Sequence, residues 1–584
     1  MDINTEAQEI RAEAVAENKK GFFDPIEVKG LSAKSARAFS AGRFSEFLRA
    51  TSKLLAFTSA RVYGLIFLSF GVLTLFLHFA EYYFRQDSGV TLTSLVIGAV
   101  FVLLSLFFLA SDKPICIALQ SHRLLDFIVF DFFSINRMQK SGDEHGFGAA
   151  VGILIGFVLS ILGFFFPTEY AALLIVGLIF AAVAMVSAEF PYIFSLLIFP
   201  YLSAIPYSRY ILAALIIITL ISFARKVLVG KRVYSFEIYD FVILFLMLAV
   251  LITGALLGGG DTESALFSVI FVLGYIPASN LAVNRRLFDC ASGAVVASAI
   301  PLSLYSVIRY TVRLFLGKRE AERAFFDSPE LLSVYLAAVI VFSLYLSVKR
   351  SSPRKKRYYF FVFLLASLAA LTTEYFAIFI ALILSVLSVI LINSRKPLGF
   401  IIIVLLGLPF FVFLLSDTLL LRLSDALSVS PSLLERGNGA WTSLCYFAKN
   451  LFVGMGSGAP ISAPDVGYNT YLALVCRFGI LAGMAFAVLL VLRIIHIRIF
   501  KRYYSDSTVS FYVDMCAIAS VSMLLLGSFF DIFSQTEMIY FFVAFFGIGS
   551  AALRVSKKEM EENLNYYKDL GRSDSADVDV VIKC

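Results

Sequence analysis

The sequence has few charged residues, and that scarcity excludes most soluble classes of protein. Asp, Glu, Lys and Arg make up only 16% of its 584 residues, whereas 59% are hydrophobic and the mean hydropathy is +0.86. A soluble chain of this length would need far more polar surface to cover its core. The apolar residues fall in runs of roughly 17–21, long enough to cross a hydrocarbon core of about 30 Å. Inside that core every backbone polar group needs an internal partner, so the runs are predicted to be helices.

Cysteine and histidine are scarce as well, with six and four residues. The cysteines are scattered and form no CxxC or metal-like spacing, so no disulfide framework, metal site or cofactor is predicted. The first apolar run begins only near Val62, so no cleavable signal peptide is expected. The net charge of +7 is spread along the chain and does not indicate a nucleic-acid surface.

Sixteen segments are predicted to cross the membrane. They lie at about 62–80, 90–110, 147–165, 168–187, 189–203, 208–224, 237–257, 263–281, 291–310, 331–348, 358–373, 375–392, 398–416, 470–492, 510–530 and 536–553. A count of fourteen or fifteen also stays open, because 189–203 is short and contains Pro191 and Pro200. The stretch 115–135 is apolar but carries charges, and is predicted to be an interfacial helix.

Lysine and arginine in the loops predict the orientation. With the N-terminus inside, the inner loops receive Arg225, Lys226, Lys231, Arg232, Arg285, Arg286, Arg395, Lys396 and the basic residues of 349–357 and 493–502. The outer loops 166–168, 257–262 and 531–535 contain no Lys or Arg. Both termini are therefore predicted to be cytoplasmic, in a multi-pass protein of the plasma (inner) membrane. The outer loops 311–330 and 417–469 are exceptions to this rule, because they are basic. A functional role is needed to explain their positive charge.

The predicted fold is an all-α polytopic membrane protein with about 14–16 transmembrane helices and one large outer loop. Its predicted parts are a cytoplasmic segment 1–61, a hairpin and interfacial segment 62–146, a transmembrane core 147–416, the outer loop 417–469, the last spans 470–553 and a cytoplasmic tail 554–584. Residues 34–53 suit a basic amphipathic helix on the anionic leaflet, or a solvated tail. The end of the C-terminal tail is predicted to be disordered.

The outer loop carries the most specific pattern. Ser430–Pro431 is a helix-start signal, and Gly437 and Gly439 are predicted to end that helix. A second short helix is predicted over 440–450, with Trp441, Leu444, Cys445 and Ala448 on one apolar stripe. Gly454, Gly456 and Gly458 then predict a tight turn whose backbone N–H groups come close to whatever group lies beside them. Asn469 marks the entry to the next span.

This order of residues resembles the O-antigen ligase and O-antigen polymerase superfamily. In that family an Arg, a Trp and a Gly-x-Gly-x-Gly-like turn precede a His-Asn pair at the head of a membrane helix. The matching positions here are Arg436, Trp441, Gly454, Gly456, Gly458, Asn469, Gly479 and Gly483. The segment Ala324–Val339 also resembles the family's "gtf-npn-lA-yL" stretch. The resemblance covers about 324–492, and extends as topology alone over about 147–553.

The resemblance implies a metal-independent transferase. Arginines would hold the diphosphate of a polyprenyl-linked donor glycan, and a histidine would assist the acceptor hydroxyl. Two signature residues differ here. Tyr468 replaces the histidine, and Tyr375, in the stretch LTTEYF, stands where the family has an arginine.

Candidate site residues follow from their position at the outer face. Arg323 and Arg436 are predicted to bind the diphosphate, because Arg binds phosphate bidentately and keeps its charge. Arg313 and Arg319 are interpreted as ordinary loop charges. Arg477, placed two turns into a membrane helix, is interpreted as a diphosphate ligand or as the partner of Asp531 in a structural ion pair.

The candidate bases are Tyr468, Glu374 and Glu435. Trp441 is interpreted as a packing residue or an interfacial anchor, ahead of a sugar platform. The leading hypothesis is a glycan ligase or polymerase that takes a polyprenyl-diphosphate-linked saccharide and acts at the outer membrane–water boundary. The alternative is a non-catalytic relative that binds or transports a glycan lipid. A generic transporter would be favoured by two related halves with broken helices, and the sequence has no such halves.

Overall fold

A computed structural model describes most of the chain. The described residues are 57–85, 92–121, 123–133, 146–165, 187–205, 207–253, 262–318, 320–349, 352–374, 433–452, 454–456, 469–503 and 507–573, the strand Ile26–Val28 and scattered positions between these ranges. Side chains inside helices are described except at a few positions, which include 435–437.

Helices dominate the described residues, which confirms the all-α class. They are α1 (Ala60–Arg85), α2 (Leu92–Leu109), α3 (Ile115–Ser121), α4 (Arg123–Asp126), α5 (Ala149–Phe165), α6 (Glu189–Ile198), α7 (Ser208–Leu228), α8 (Ile238–Ile252), α9 (Thr262–Leu273), α10 (Tyr275–Leu281), α11 (Arg285–Phe315), α12 (Pro329–Lys349), α13 (Pro353–Thr372), α14 (Leu433–Lys449), α15 (Thr470–Tyr503), α16 (Ser510–Gly527) and α17 (Glu537–Ser573). A π-helical turn (Phe127–Phe132) and a 3-10 helix (Phe199–Ala204) complete them.

The predicted spans agree with these helices. Within the described ranges, eight helices are long and apolar enough to cross a membrane, and four shorter apolar helices accompany them. Together with α13, they match thirteen of the sixteen predicted spans. The predicted spans 375–392 and 398–416 lie outside the described residues, as does most of 168–187. The protein is therefore a polytopic α-helical membrane protein.

The chain divides into two compact units, and one of them comprises Lys29–Phe194 with Ile218–Val233. In this unit α1 packs along α2 and α5. The rings of Phe67 and Phe70 both contact Phe101 edge-on, with centroids 5.5 and 4.9 Å apart. The carboxylate of Glu189 is buried and forms ion pairs with Lys226 at 2.7 Å and with Arg232 at 2.5 Å.

The other unit comprises Met1–Val28, Ser195–Ile217 and Tyr234–Cys584. At its centre α12 is buried along nearly its whole length, with α11, α13 and α16 packed against it. A short antiparallel sheet pairs Ile26–Val28 with Tyr234–Phe236. This unit contains every predicted site residue.

Contacts in this unit join loop ends that the predicted topology assigns to the same side. At the predicted outer ends, hydrogen bonds link Ser208 with Glu537, Asn469 with Ser528, and Glu322 with Thr372. At the predicted inner ends, they link Arg554 with Glu237 and Ser507 with Glu559. The alternation of these spans is thus consistent with their packing, while the side that faces the cytoplasm stays a prediction.

One sequence prediction about a helix end was wrong. Helix α14 runs unbroken through Gly437 and Gly439. A glycine inside a helix costs about 1 kcal/mol, and the packing of Tyr446 and Phe447 against α15 can offset that cost. Helix α17 continues through the first part of the predicted tail to Ser573. Two Lys–Glu pairs, four residues apart along this helix, support the extension. The predicted amphipathic helix 34–53 lies almost entirely outside the described residues.

Candidate functional site

A glycine turn of the outer loop is held against a break in α15. The N–H groups of Met455 and Gly456 donate to the carbonyls of Cys476 and Arg477, both at 2.8 Å. In return, the N–H of Ile480 donates to the carbonyl of Leu451 at 3.0 Å. Helix α15 is interrupted here, because Gly479 has φ 76° and ψ 179°. The turn therefore satisfies backbone groups that the break would otherwise leave unpaired.

Position 454 requires glycine for two reasons, its backbone conformation and the lack of room for a side chain. Its φ is +70°, in the region that L side chains rarely adopt, and a Cβ atom there would lie 2.5 Å from the Gly479 nitrogen. Its own N–H donates to the carbonyl of Asn450 at 2.9 Å. The N–H groups of residues 454–456 are thus all used within the protein. The predicted close approach of the Gly454 and Gly456 N–H groups is therefore to backbone carbonyls of the protein itself, and Gly458 lies outside the described part of the chain.

The loop between α16 and α17, residues 528–536, lies over the start of α15. The Asn469 side chain caps the helix by accepting from the N–H of Tyr471 at 2.9 Å, and it donates to the Ser528 carbonyl at 3.3 Å. The Thr470 hydroxyl donates to the Phe530 carbonyl at 2.8 Å and accepts from the N–H of Ile532 at 2.9 Å. Asn469 therefore caps the N-terminal end of α15, in agreement with its predicted place at the entry to this span.

Arg477, beside the break, forms an ion pair with Asp531 of this loop, with Nη1 and Oδ2 2.9 Å apart. The Asp531 side chain is buried, and burial raises the pKa of its carboxyl despite the opposing charge of Arg477. Among the described residues, Oδ2 has this ion pair but no aligned hydrogen-bond donor. The predicted Arg477–Asp531 ion pair is therefore confirmed, and it leaves Arg477 half-buried with its charge largely balanced.

A second patch surrounds the family-like segment that begins at Ala324. The N–H of Glu322 donates to the Thr372 carbonyl at 2.9 Å and joins the loop 316–328 to the end of α13. Ala324 and Glu374 both have left-handed backbone conformations, with φ of 48° and 51°. The Glu374 carboxylate accepts a hydrogen bond from the Tyr310 hydroxyl at 2.6 Å. Two uncommon backbone conformations thus occur together beside a fixed carboxylate.

The arginines near this patch differ in their partners. Arg309 and Arg313 each form an ion pair with the fully buried Glu322, at 3.3 and 3.5 Å. The interpretation of Arg313 as an ordinary loop charge was therefore wrong, because it takes part in a buried ion-pair cluster. Arg323 is exposed and has no ion-pair partner among the described residues. Arg319 lies outside them.

The 3-10 helix Phe199–Ala204 contacts both patches. The Gln535 amide donates to the Ser203 hydroxyl at 2.7 Å, and the ring of Tyr201 lies 5.8 Å from that of Phe325. This short segment thus connects the loop that holds Asp531 with the loop that holds Arg323.

The structure describes only some of the remaining predicted site residues. Trp441 is 69% exposed, and Leu444, Cys445 and Ala448 of the same stripe are exposed as well. Helix α14 instead packs its Ser443, Tyr446 and Phe447 face on α15, so Trp441 is not a packing residue. Its interpretation as an interfacial anchor stays a prediction. Glu435 and Arg436 lie in α14, but their side chains are outside the described residues, as are Tyr375 and Tyr468 altogether.

Glu322 and Tyr310 escaped the sequence reasoning. Glu320 and Glu322 are two acids among Lys318, Arg319 and Arg323, and acids inside a basic loop indicate an ion-pair centre. Tyr310 carried no such signal, because its bond to Glu374 spans 64 residues of sequence. No cluster of three or more His, Cys, Asp or Glu that could hold a metal ion occurs within the described ranges.

Comparison with known proteins gives no further identification. No family model matches the chain, and no curated protein matches it significantly.

Proposed function

We propose that the protein is an O-antigen ligase-like membrane glycosyltransferase, acting as a ligase or polymerase in the assembly of cell-surface polysaccharide. It takes a polyprenyl-diphosphate-linked saccharide, such as an undecaprenyl-linked one, and transfers it to an acceptor hydroxyl. The reaction takes place at the outer face of the plasma membrane, with both termini in the cytoplasm.

The observation that carries this proposal is the strained patch around Ala324 and Glu374. A hydrogen bond between the Glu322 N–H and the Thr372 carbonyl joins the loop of Arg323 to that of Glu374. Glu374 is held by Tyr310 as a candidate base, and Arg323 is exposed with no ion-pair partner among the described residues. A general base and a free cation near the headgroup level are what transfer from a lipid diphosphate requires.

The ion pairs of two other arginines limit the roles that these arginines can have at the site. Arg313 and Arg477 are held in ion pairs, so they contribute to the shape of the site more than to its free charge. Arg323 therefore takes the leading role in donor binding, with Arg436 as the second cation from the sequence pattern. Glu435 and Tyr468 remain candidate bases on the sequence alone.

The alternative is a non-catalytic relative that binds or transports a glycan lipid. The replacement of the family's signature arginine and histidine by Tyr375 and Tyr468 favours it. In that case Arg323 and Arg436 would still bind the diphosphate, but no base would act on an acceptor.

Reconstitution separates the two functions. The purified protein in nanodiscs is incubated with a polyprenyl-diphosphate-linked oligosaccharide and a lipid-linked acceptor, and both transfer and release of polyprenyl diphosphate are measured. We expect transfer by the wild type, and loss of transfer with retained donor binding for Glu374→Gln. Donor binding without transfer would support the alternative, and absence of both would contradict the class.

A matched pair of variants tests the donor site. Arg323→Ala removes a charge-assisted interaction typically worth about 1.5–3 kcal/mol, so donor binding should weaken roughly tenfold or more. Lys318→Ala removes an exposed cation of the same loop and should leave binding nearly unchanged. Equal losses for both variants would indicate only a general electrostatic effect.

A further inference from the structure

Four consecutive cations form the first turn of α13 at its predicted inner end. Pro353 begins the helix, and Arg354, Lys355, Lys356 and Arg357 follow it; all four cations are exposed. We call these four residues the α13 basic turn. They form the longest uninterrupted run of cations in the sequence.

No ion pair within the described residues neutralises the α13 basic turn. Three cations at other predicted inner ends, by contrast, form ion pairs within the protein. Lys226 and Arg232 share Glu189, and Arg554 pairs with Glu237 at 3.1 Å. The carboxylates of the protein thus neutralise these three partly buried cations, whereas the exposed α13 basic turn has no counter-charge among the described residues.

The position of these cations is electrostatically unfavourable without an anion. A helix N-terminus carries a partial positive charge, which favours acidic residues in the first turn. This first turn contains no acidic residue, and the N-cap Ser352 makes no side-chain capping bond. Cations three residues apart on one helix also repel each other. An external anion would remove both penalties at once.

The rest of α13 shows where that anion would be. Residues 358–372 contain no charged side chain, and the helix leaves a row of large apolar residues exposed. They are Phe360, Phe361, Leu364, Leu368 and Leu371. In a membrane protein such a row faces lipid tails, so the α13 basic turn lies at the level of the lipid headgroups.

We propose that the α13 basic turn binds the headgroups of anionic phospholipids. The phosphates approach the helix N-terminus, and the four cations bind them while the acyl chains run along the exposed apolar row. Clusters of Lys and Arg next to a membrane helix have the charge and location that this recognition needs. The site is separate from the outer surface discussed above and does not depend on its function.

The test replaces the cations without changing the helix. The variant R354Q/K355Q/K356Q/R357Q is compared with wild type in nanodiscs of phosphatidylcholine into which phosphatidylglycerol is titrated. Native mass spectrometry measures the phosphatidylglycerol that stays bound after extraction. We expect half-saturation of the variant to need about tenfold more phosphatidylglycerol or higher, because each cation near an anionic surface contributes separately.

The matched control is K557Q/K558Q, which removes two cations of α17 that already pair with Glu561 and Glu562. Its lipid retention should equal that of wild type. Equal retention by all three proteins would overturn the proposal, and so would displacement of the lipid by inorganic phosphate at equal concentration. Equal unfolding temperatures of variant and wild type in pure phosphatidylcholine would show that the variant folds. If the variant unfolds there, the single changes Lys355→Gln and Lys356→Gln replace it, and each should still weaken retention.

Discussion

Gly454 lies directly against the backbone of Gly479, so that the glycine turn fits against the break in α15 only because residue 454 has no side chain. A Cβ atom on Gly454 would be 2.5 Å from the Gly479 nitrogen and 2.5 Å from the Arg477 carbonyl oxygen. The glycine turn is thereby fixed to α15 by backbone contacts, in addition to the side-chain packing of α14 on the same helix.

Gly454→Ala should therefore destabilise the protein strongly. A non-glycine residue at φ +70° costs about 1–3 kcal/mol, and the steric overlap adds to that cost. Thermal unfolding in detergent measures the effect. Gly317→Ala is the matched control, because Gly317 has φ +72° but no atom within 4 Å of an added Cβ. A fall in unfolding temperature no larger for Gly454→Ala than for Gly317→Ala would contradict the close packing.

The Arg477–Asp531 pair predicts an unequal response to two substitutions. Arg477→Ala leaves a buried carboxylate alone, which costs about 3–5 kcal/mol. Asp531→Ala leaves a half-buried guanidinium that can reach water, so its cost should be smaller. In the double variant the loss should be well below the sum of the single losses. Additive losses would show that the pair is not coupled and would return Arg477 to the candidate ligands of the diphosphate.

The two tyrosines at the signature positions predict the outcome of restoring the family pattern. A phenol with a pKa of about 10 is neutral near pH 7, so Tyr375 and Tyr468 can donate hydrogen bonds to a phosphate but cannot balance its charge. The double change Tyr375→Arg with Tyr468→His should raise the rate of glycan transfer in the nanodisc assay. If instead the wild type is active and Tyr468→Phe abolishes transfer, Tyr468 itself acts in catalysis.

Cysteine accessibility tests the orientation of the whole chain. In a variant without native cysteines, Asn450→Cys should react with a membrane-impermeant maleimide in intact cells, because loop 417–469 is predicted to be outside. Lys349→Cys, exposed at the opposite end of the fold, should react only after the cells are opened. The reverse pattern would invert the predicted topology.

The transmembrane spans could be predicted from the sequence because the apolar composition that identifies them is a local property. Runs such as 331–348 are apolar over a membrane's thickness whatever surrounds them, and α12 covers that run. The Arg477–Asp531 ion pair could also be predicted, since a charge in a membrane helix needs a nearby counter-charge. Asn469 was recognised for a similar reason, because a capping side chain acts within three residues of its own position.

The contacts within the candidate site could not be predicted, because they join residues that lie far apart in the sequence. The glycine turn was recognised, but its amides bond to carbonyls of α15 and not to a ligand. The break at Gly479 was missed, because its φ is stabilised by a loop more than twenty residues earlier in the chain. Likewise, Gly437 and Gly439 remain helical because α14 packs on α15, and tertiary packing can outweigh helix propensity.

The burial of α12 has a consequence for how the protein is made. Two of the helices that enclose α12, α13 and α16, follow it in the sequence, so during synthesis α12 enters the bilayer before they exist. Its apolar side chains must then be solvated by lipid, and the serines along it donate to carbonyls of their own helix, such as Ser343 to Val339 at 2.8 Å. The later exchange of lipid for protein neighbours gains little from the exclusion of water. Assembly of this unit is therefore governed by the fit of side chains around α12, and substitutions that change its shape should reduce the yield of folded protein more than substitutions that change its hydrophobicity.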